Sequence, residues 1–465
     1  MSADSTIEKD RDSGKRVRKR LPRKELGSFT TGPRDVVSLF HNANQGKDPE
    51  LVAMSAAEMA RSPYAFFQGS AKLMAQDLAQ QSDTGLRCQL VGDAHPRNFG
   101  GYGLPGREIV FDAVDFDETH EGPFEWDLKR LVTGALLAGV DRGISGRQAK
   151  KMAYMAAQSY LETIRGFDRE PMLTVWYSQL DDDDSVAVWA EAGGARTVAE
   201  VMRSAKRARR RTNQHAAQQM TKESGGKRRF RRKDSLLRPI GDLLPDKEAA
   251  SFLAKVDGAW QSHLESLGRN RNHLLSRYRL VDLARLSVGI SGLSTRRYAA
   301  LLIEDGDVSE PVVVEFSEVG SSGFQEHVPS VSYANDGERL VTGRRLIQTM
   351  PDPFLGWLSF VDRDGVDRTW QIGQLRDWKR SLDFSNTGDR GQAVFMKMCG
   401  WTLARAHARS GDRHAIAGYI GRNSTTANAL QAFAKAYAAQ TVDDHRQFCA
   451  AISQGQVEVP TTPDR

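Results

Sequence analysis

Two short acidic stretches carry the residues best suited to chemistry. Gly92-Asp93-Ala94-His95-Pro96-Arg97-Asn98 follows the apolar pair Leu90-Val91, and Asp115-Phe116-Asp117-Glu118 follows the run Ile109 to Val114. An Asp, then Asn five residues later, then Asp-Phe-Asp after a short return, is the set that phosphoryl transfer needs. One acid orients or deprotonates the attacking hydroxyl, and oxygen ligands hold Mg2+ on the phosphates. Asp93 is the candidate catalytic base. Asn98 and Asp115 are the candidate metal ligands, with Asp117 as a further one, because Mg2+ is a hard ion that takes amide and carboxylate oxygens. Asp and Asn are also ordinary turn residues, so a pair of acidic turns is the competing reading.

The elements around these stretches can be read from periodicity. Leu90-Val91 and Ile109 to Val114 are short strands that deliver acids at their C-terminal ends, with Gly100-Gly101-Tyr102-Gly103 as a Gly-rich turn between them. Trp126 to Val140 is a helix with one apolar stripe of Leu128, Leu131, Val132, Ala135 and Leu136. Asp127, near its start, is expected to steady the preceding loop. Residues 33–44 and 50–80 read as helices, the second broken at Ser62-Pro63, and Ser145 caps a helix over about 146–165. Residues 247–284 read as helical. Alternation then takes over, with strands within 286–303 and 311–319, a helix over 337–350, and a hairpin of 357–360 with 369–372 across Asp364-Gly365. From Lys379 to about Ile452 the pattern is helical again, and His407 there reads as a packed structural histidine.

The catalytic-type stretch resembles the loop of aminoglycoside and choline kinases within the protein kinase-like superfamily. Asp115 to Glu118 with Trp126-Asp127-Leu128 resembles their metal-binding segment and the helix after it. Val91 stands where those kinases often have His. The chain also resembles an uncharacterised bacterial family, the domain of unknown function 2252. Ser62 to Gly69, Gly92 to Gly101, Phe111 to Glu118, Asp352 to Trp357, Gln374 to Asp377 and Leu403 to Gly411 carry that likeness, from about residue 33 nearly to the end.

The resemblance implies a fold and departures from it. Strand, Gly loop, strand, strand, helix, strand, strand is the plan of a kinase nucleotide lobe, here placed after the catalytic-type loop. The expected fold is therefore α+β: a two-lobed protein kinase-like fold, circularly permuted, with a mostly helical large lobe and a small antiparallel β lobe. ATP with Mg2+ is the implied cofactor. Gly289, Ser291, Gly292, Ser294 and Thr295 would form its phosphate cradle, a weakened one because Ser replaces Gly at two positions. Ser317 stands where the pattern has Lys, Thr342 where it has Glu, and Gln68 where it has Arg. In a kinase-like fold that Lys and Glu form an ion pair beside the phosphates, so Ser317 and Thr342 are expected to lie near one another.

Length and composition set the outer bounds. A chain of 465 residues, 40% apolar and 27% charged, can bury a large core. Three scattered cysteines give no disulfide or zinc spacing, and no apolar run is long enough to span a bilayer, so a cytoplasmic protein without membrane contact is expected. The net charge of +6 has one source. Residues 203–233 hold thirteen Lys or Arg against Glu223, a local +12 that leaves the rest at −6. The expected organisation is a disordered basic tail over 1–28, a helical lobe over 29–284 containing the basic insertion 203–233, a β-rich nucleotide-lobe-like domain over 285–378, and a helical segment over 379–465 that completes the large lobe. Three functions stay open. One is Mg-nucleotide-dependent phosphoryl transfer to a small hydroxyl substrate. The second is a catalytically impaired, nucleotide-binding regulatory pseudoenzyme. The third is a basic protein binding nucleic acid through 203–233, which the scarcity of aromatics there disfavours.

Overall fold

The computed structural model describes residues 3–32, 34–103, 109–181, 213–233, 237–286, 295–304, 311–328, 333–375 and 389–460. The chain is α+β with antiparallel sheets. Its centre is the helix Phe124–Asp141, whose residues from Phe124 to Gly139 are all buried. A helix buried all round can carry charge only where each charge has a partner. Glu125 accepts from Thr84 N and Oγ1, Asp127 from two backbone amides, and Arg130 donates to Asp93, while the Lys129 ammonium lies 4.6 Å over the Phe433 ring. Burial, opposed by Glu125, brings Lys129 down to about 8.

Helices Gly146–Phe167, Asp389–Ser410 and Thr425–Ser453 pack around this axis into the largest apolar core. Gly400 makes one of these contacts possible, since a Cβ there would sit 2.3 Å from Ala156 O. Two small sheets lie at the edge of this core. In one, β1 (Arg87–Leu90) pairs antiparallel with β4 (His120–Pro123). In the other, β2 (Phe99–Gly103) pairs with β3 (Ile109–Ala113), which pairs with β5 (Leu180–Asp181). The stretch Gly100 to Gly103, expected as a turn, is thus strand.

A hairpin of β6 (Thr221–Ser224) and β7 (Lys227–Phe230) precedes the main sheet. Among the described residues that sheet has six strands: β8 (Leu237–Pro239), β9 (Tyr278–Leu286), β10 (Arg297–Glu304), β11 (Pro311–Glu318), β12 (Gly356–Val361) and β13 (Asp367–Gln374), in the order β12-β13-β11-β10-β9-β8. Its second apolar core lies under the helix Asp246–Ser266, through Phe252, Val256, Trp260 and Leu264 against Leu283, Tyr298, Phe316 and Trp370. The sheet-rich part therefore begins near residue 237 rather than at 285, and Tyr278 to Ala284 is strand rather than helix. Leu280, Leu283 and Ala284 have a spacing that fits a helix locally, but backbone pairing with β8 and β10 decides for strand.

Two other regions depart from expectation. Residues 1–28 were expected to be a disordered tail, yet Ala3–Arg20 is a helix docked on the helix Arg413–Ile420. The helices meet at glycines: a Cβ on Gly14 would lie 1.9 Å from Ala415 O, and one on Gly418 would lie 2.2 Å from Arg11 O. The basic residues have local work. Arg18 donates to Tyr419 O and Arg23 to Ile420 O, carbonyls at a helix C-terminus with no intrahelical partner, and Arg11 pairs with Asp168.

Of the basic segment 203–233, residues 203–212 lie outside the described residues. The remainder is the helix Asn213–Met220 and the β6–β7 hairpin, turned by Gly225 and Gly226 at φ 57° and 70°. Phe230 and Ala217 are buried against Leu237, Ala284, Ala299, Leu301 and Val313, so this part covers the face of the sheet away from the second core. Its one aromatic is packed inside.

Candidate functional site

The loop between β1 and β2 is held from below by the central helix. Asp127 accepts from Val91 N at 2.7 Å and Gly92 N at 2.9 Å, and His407 Nε2 lies 3.2 Å from the same carboxylate. His407 is fully buried, with its other nitrogen 2.8 Å from the Tyr160 hydroxyl. It positions Asp127 and takes no part in the cleft. Gly92 has φ 90°, and a Cβ there would lie 2.1 Å from Glu118 O. Only glycine lets the two acidic loops approach this closely.

One helical turn beyond Asp127, Arg130 reaches Asp93. Its Nε and Nη2 lie 2.9 and 2.8 Å from Asp93 Oδ1, Nη2 also donates to Phe67 O, and the guanidinium stacks 3.8 Å from the Phe67 ring. The other carboxylate oxygen faces His95 Nε2 at 3.4 Å and Asn98 Nδ2 at 3.2 Å. Burial pushes the Asp93 carboxyl upward, but His95 and then Arg130, by charge and by hydrogen bonding, hold it well below the usual carboxylate range. Asp93 is therefore a fixed, weakly basic acceptor, suited to orienting a hydroxyl.

Asn98 donates through Nδ2 to both Asp93 O and Asp93 Oδ2, so its amide oxygen faces away from these acceptors. A backbone bond from Val114 N to Asn98 O at 2.9 Å brings the second acidic loop alongside. That loop turns through Asp117 N donating to Asp115 Oδ1 at 3.2 Å. Arg339 of the helix Asp336–Ile347 holds it from the far side by donating to Thr119 O, Asp117 O and Gly320 O. Glu118 accepts from Gly323 N at 2.6 Å.

Asp93, Asn98, Asp115 and Asp117 line a common cleft of about 200 Å³. Glu118, Lys47, Lys72 and Arg97 also reach it, and Phe40, Met59, Phe66 and Leu73 supply an apolar wall. Burial lowers the Lys47 pKa and the like charge of Lys72 adds to this, against Glu118, Glu318 and Asp117. Gln68 lines the same cleft and accepts from Arg97 at 3.3 Å. Among the described residues no cluster of three or more His, Cys, Asp and Glu is placed to hold a metal. The candidate donors are one amide oxygen and two carboxylates, all hard oxygens. That set fits Mg2+, which keeps several waters and completes its shell with phosphate oxygens rather than an all-protein cage.

The remaining expected site residues fall otherwise. Gly289, Ser291, Gly292 and Ser294 lie outside the described residues, and Thr295 lies just before β10. Ser317 donates to Glu315 Oε1 at 2.9 Å, while Thr342 is exposed on its helix. No described hydrogen bond joins them. Sequence reasoning included His95 in its motif without giving it a role, and missed Arg130, Arg339 and the cationic wall of Lys47 and Lys72. A signal existed for Arg130: it follows Asp127 by three residues in an otherwise apolar stripe, which puts both on one face. Arg339 and the lysines had none, because the acidic loop that Arg339 holds and the acids that face Lys47 are remote from them in sequence.

No helix among the described residues is long and apolar enough to cross a membrane. No curated protein and no solved structure matches the chain. The family described as uncharacterized protein conserved in bacteria (DUF2252) matches residues 47–451, and the chain belongs to that family.

Proposed function

We propose that this protein is a kinase-like phosphotransferase that binds a Mg-nucleotide and transfers a phosphoryl group to a small hydroxyl compound. The observation that carries this reading is the convergence of Asp93, Asn98, Asp115 and Asp117 on one cleft from two loops. Two further features support it. The main sheet places the Asp336–Ile347 helix between its third and fourth long strands, the order of a kinase nucleotide lobe. The end of the helix Asp389–Ser410 lies beside β1, with Ser410 Oγ accepting from Gln89 N at 3.1 Å, as a permuted kinase-like chain requires.

In this reading Asn98 and Asp115, with Asp117, hold the ion, which when bound neutralises charge developing on the phosphates. Asp93 accepts a hydrogen bond from the substrate hydroxyl. Arg130, His95 and Asn98 keep its carboxylate in one orientation, so its contribution is positioning more than basicity. The apolar wall excludes water from one side of the cleft, and Lys47, Lys72 and Arg97 favour an anionic occupant.

A catalytically impaired nucleotide-binding regulator is the second reading. The serine at 317 and the exposed Thr342 favour it, since together they lack the usual ion pair. Calorimetric titration of ATP with and without Mg2+ tests the site, and coupled detection of ADP release tests turnover. Asp115→Ala is expected to abolish the Mg2+-dependent part of nucleotide binding, whereas Asp93→Ala spares binding and removes turnover. Equal loss of nucleotide affinity in both variants would count against the assignment of roles.

A further inference from the structure

The register of the main sheet sets Arg297 of β10 directly across from Ser317 of β11, and Ala299 across from Glu315. Strand alternation puts Arg297, Ser317 and Glu315 on one face. There Arg297 Nη1 donates to Glu315 Oε1 at 2.6 Å, the oxygen that also receives the Ser317 hydroxyl. The two charged side chains are 13% and 11% exposed. Arg297 Nε is buried and has no hydrogen-bond partner among the described residues. A buried guanidinium N–H without an acceptor is costly, and such a group calls for a partner that a bound ligand or water can supply. Burial works against the charge on Arg297, and Glu315, then Asp117 and Asp115, outweigh it. Asp117 and Asp115, which line the cleft, are thus among the acids that favour the charged guanidinium.

We infer that Arg297, clamped by Glu315, is the residue that holds the nucleotide's phosphates, in the role a lysine at position 317 would otherwise take. The inference rests on the nucleotide-binding reading above. The ion pair that position 317 and Thr342 lack is then present in another form: two adjacent strands supply it, in place of a strand and a helix. Arginine suits this arrangement because its planar fork can keep one N–H on Glu315 while another meets a phosphate oxygen. Glu315 fixes the fork in advance, and Ser317, being small, leaves room beside it.

The test is titration of the full chain with ATP, ADP and adenosine in Mg2+, read by calorimetry. Arg297→Ala is expected to weaken ATP and ADP roughly ten- to a hundredfold, the scale of one hydrogen bond to a charged group, and to leave adenosine unchanged. Because that variant strands Glu315, the pair Arg297→Met with Glu315→Gln removes both charges together and is expected to show the same phosphate-specific loss in a folded protein. Adding Ser317→Lys to Arg297→Ala is expected to recover part of the affinity, since the two positions face each other across the strands. Unchanged ATP affinity in the folded variants, beside a wild type that binds, overturns the role of Arg297 and leaves the nucleotide site standing. A loss shared equally by adenosine makes Arg297 a structural residue and also overturns it. A wild type that binds none of the three removes the nucleotide reading itself.

Discussion

Arg130→Met tests whether the geometry of Asp93 is built by the central helix. The substitution keeps an unbranched side chain of similar length and removes the charge. In the structure the Arg130 side chain is 3% exposed and Asp93 19%, and the guanidinium also satisfies Phe67 O and stacks on the Phe67 ring. Removing one partner of such a pair leaves a carboxylate with little access to water, a loss of roughly 3–5 kcal/mol. His95 and Asn98 still face the other oxygen, which argues for the lower end of that range. The assay is urea unfolding at pH 7 of the wild type, Arg130→Met, Asp93→Asn and the double variant. The double variant is expected to be more stable than the sum of the single losses, because neither charge is then stranded. The pH dependence has a defined sign. Asp93 is depressed in the folded state, so its contribution is fully present above the ordinary carboxylate value near 3.9. It is lost as pH falls through the lower folded value. Arg130→Met should flatten that acid limb. Additive losses across the cycle, or an unchanged acid limb, would refute the account of Asp93 as a carboxylate fixed by Arg130.

Three further outcomes are expected. Gly14→Val should release the N-terminal helix, because a Cβ at Gly14 would sit 1.9 Å from Ala415 O; limited proteolysis should then cut within residues 3–28, and protection equal to wild type would count against docking. Phe230→Ala should cost roughly 3–5 kcal/mol of local stability and loosen the β6–β7 hairpin from the sheet, read as faster exchange of the backbone amide at position 230, which donates to Asp282; unchanged exchange would mean that the Phe230 ring does not anchor the segment. Ser317→Lys with Thr342→Glu should show coupling below about 0.5 kcal/mol in a double-mutant cycle of nucleotide affinity, because Thr342 is exposed and Ser317 is engaged with Glu315; strong coupling would mean that the two positions do face each other.

What the amino-acid order determined by itself was local. Apolar runs ending in Gly92-Asp93 and in Asp115-Phe116-Asp117 marked the acids and their loops, because strand ends and turn residues are written in neighbouring positions. The helix Phe124–Asp141 and the strands β10 to β13 were legible for the same reason: their periods of 3.6 and 2 repeat within a few residues. The strand β9 was not, since Tyr278 to Ala284 fits either period and only pairing with β8 and β10 settles it. Nor was the N-terminal helix, whose arginines read as a solvated tail until the carbonyls of Tyr419 and Ile420 are set beside them. The tertiary structure decided the ionic partnerships that join remote segments, whereas His95 meets Asp93 from two residues away. Arg130 meets Asp93 across 37 residues of chain, Arg339 holds Asp117 from a helix more than two hundred residues away, and Arg297 finds Glu315 through the register of two strands. A slip of one residue in that register would turn Arg297 to the opposite face. Charge pairing is a matter of distance in space, and distance in space between remote segments is fixed only when the cores that carry them have packed.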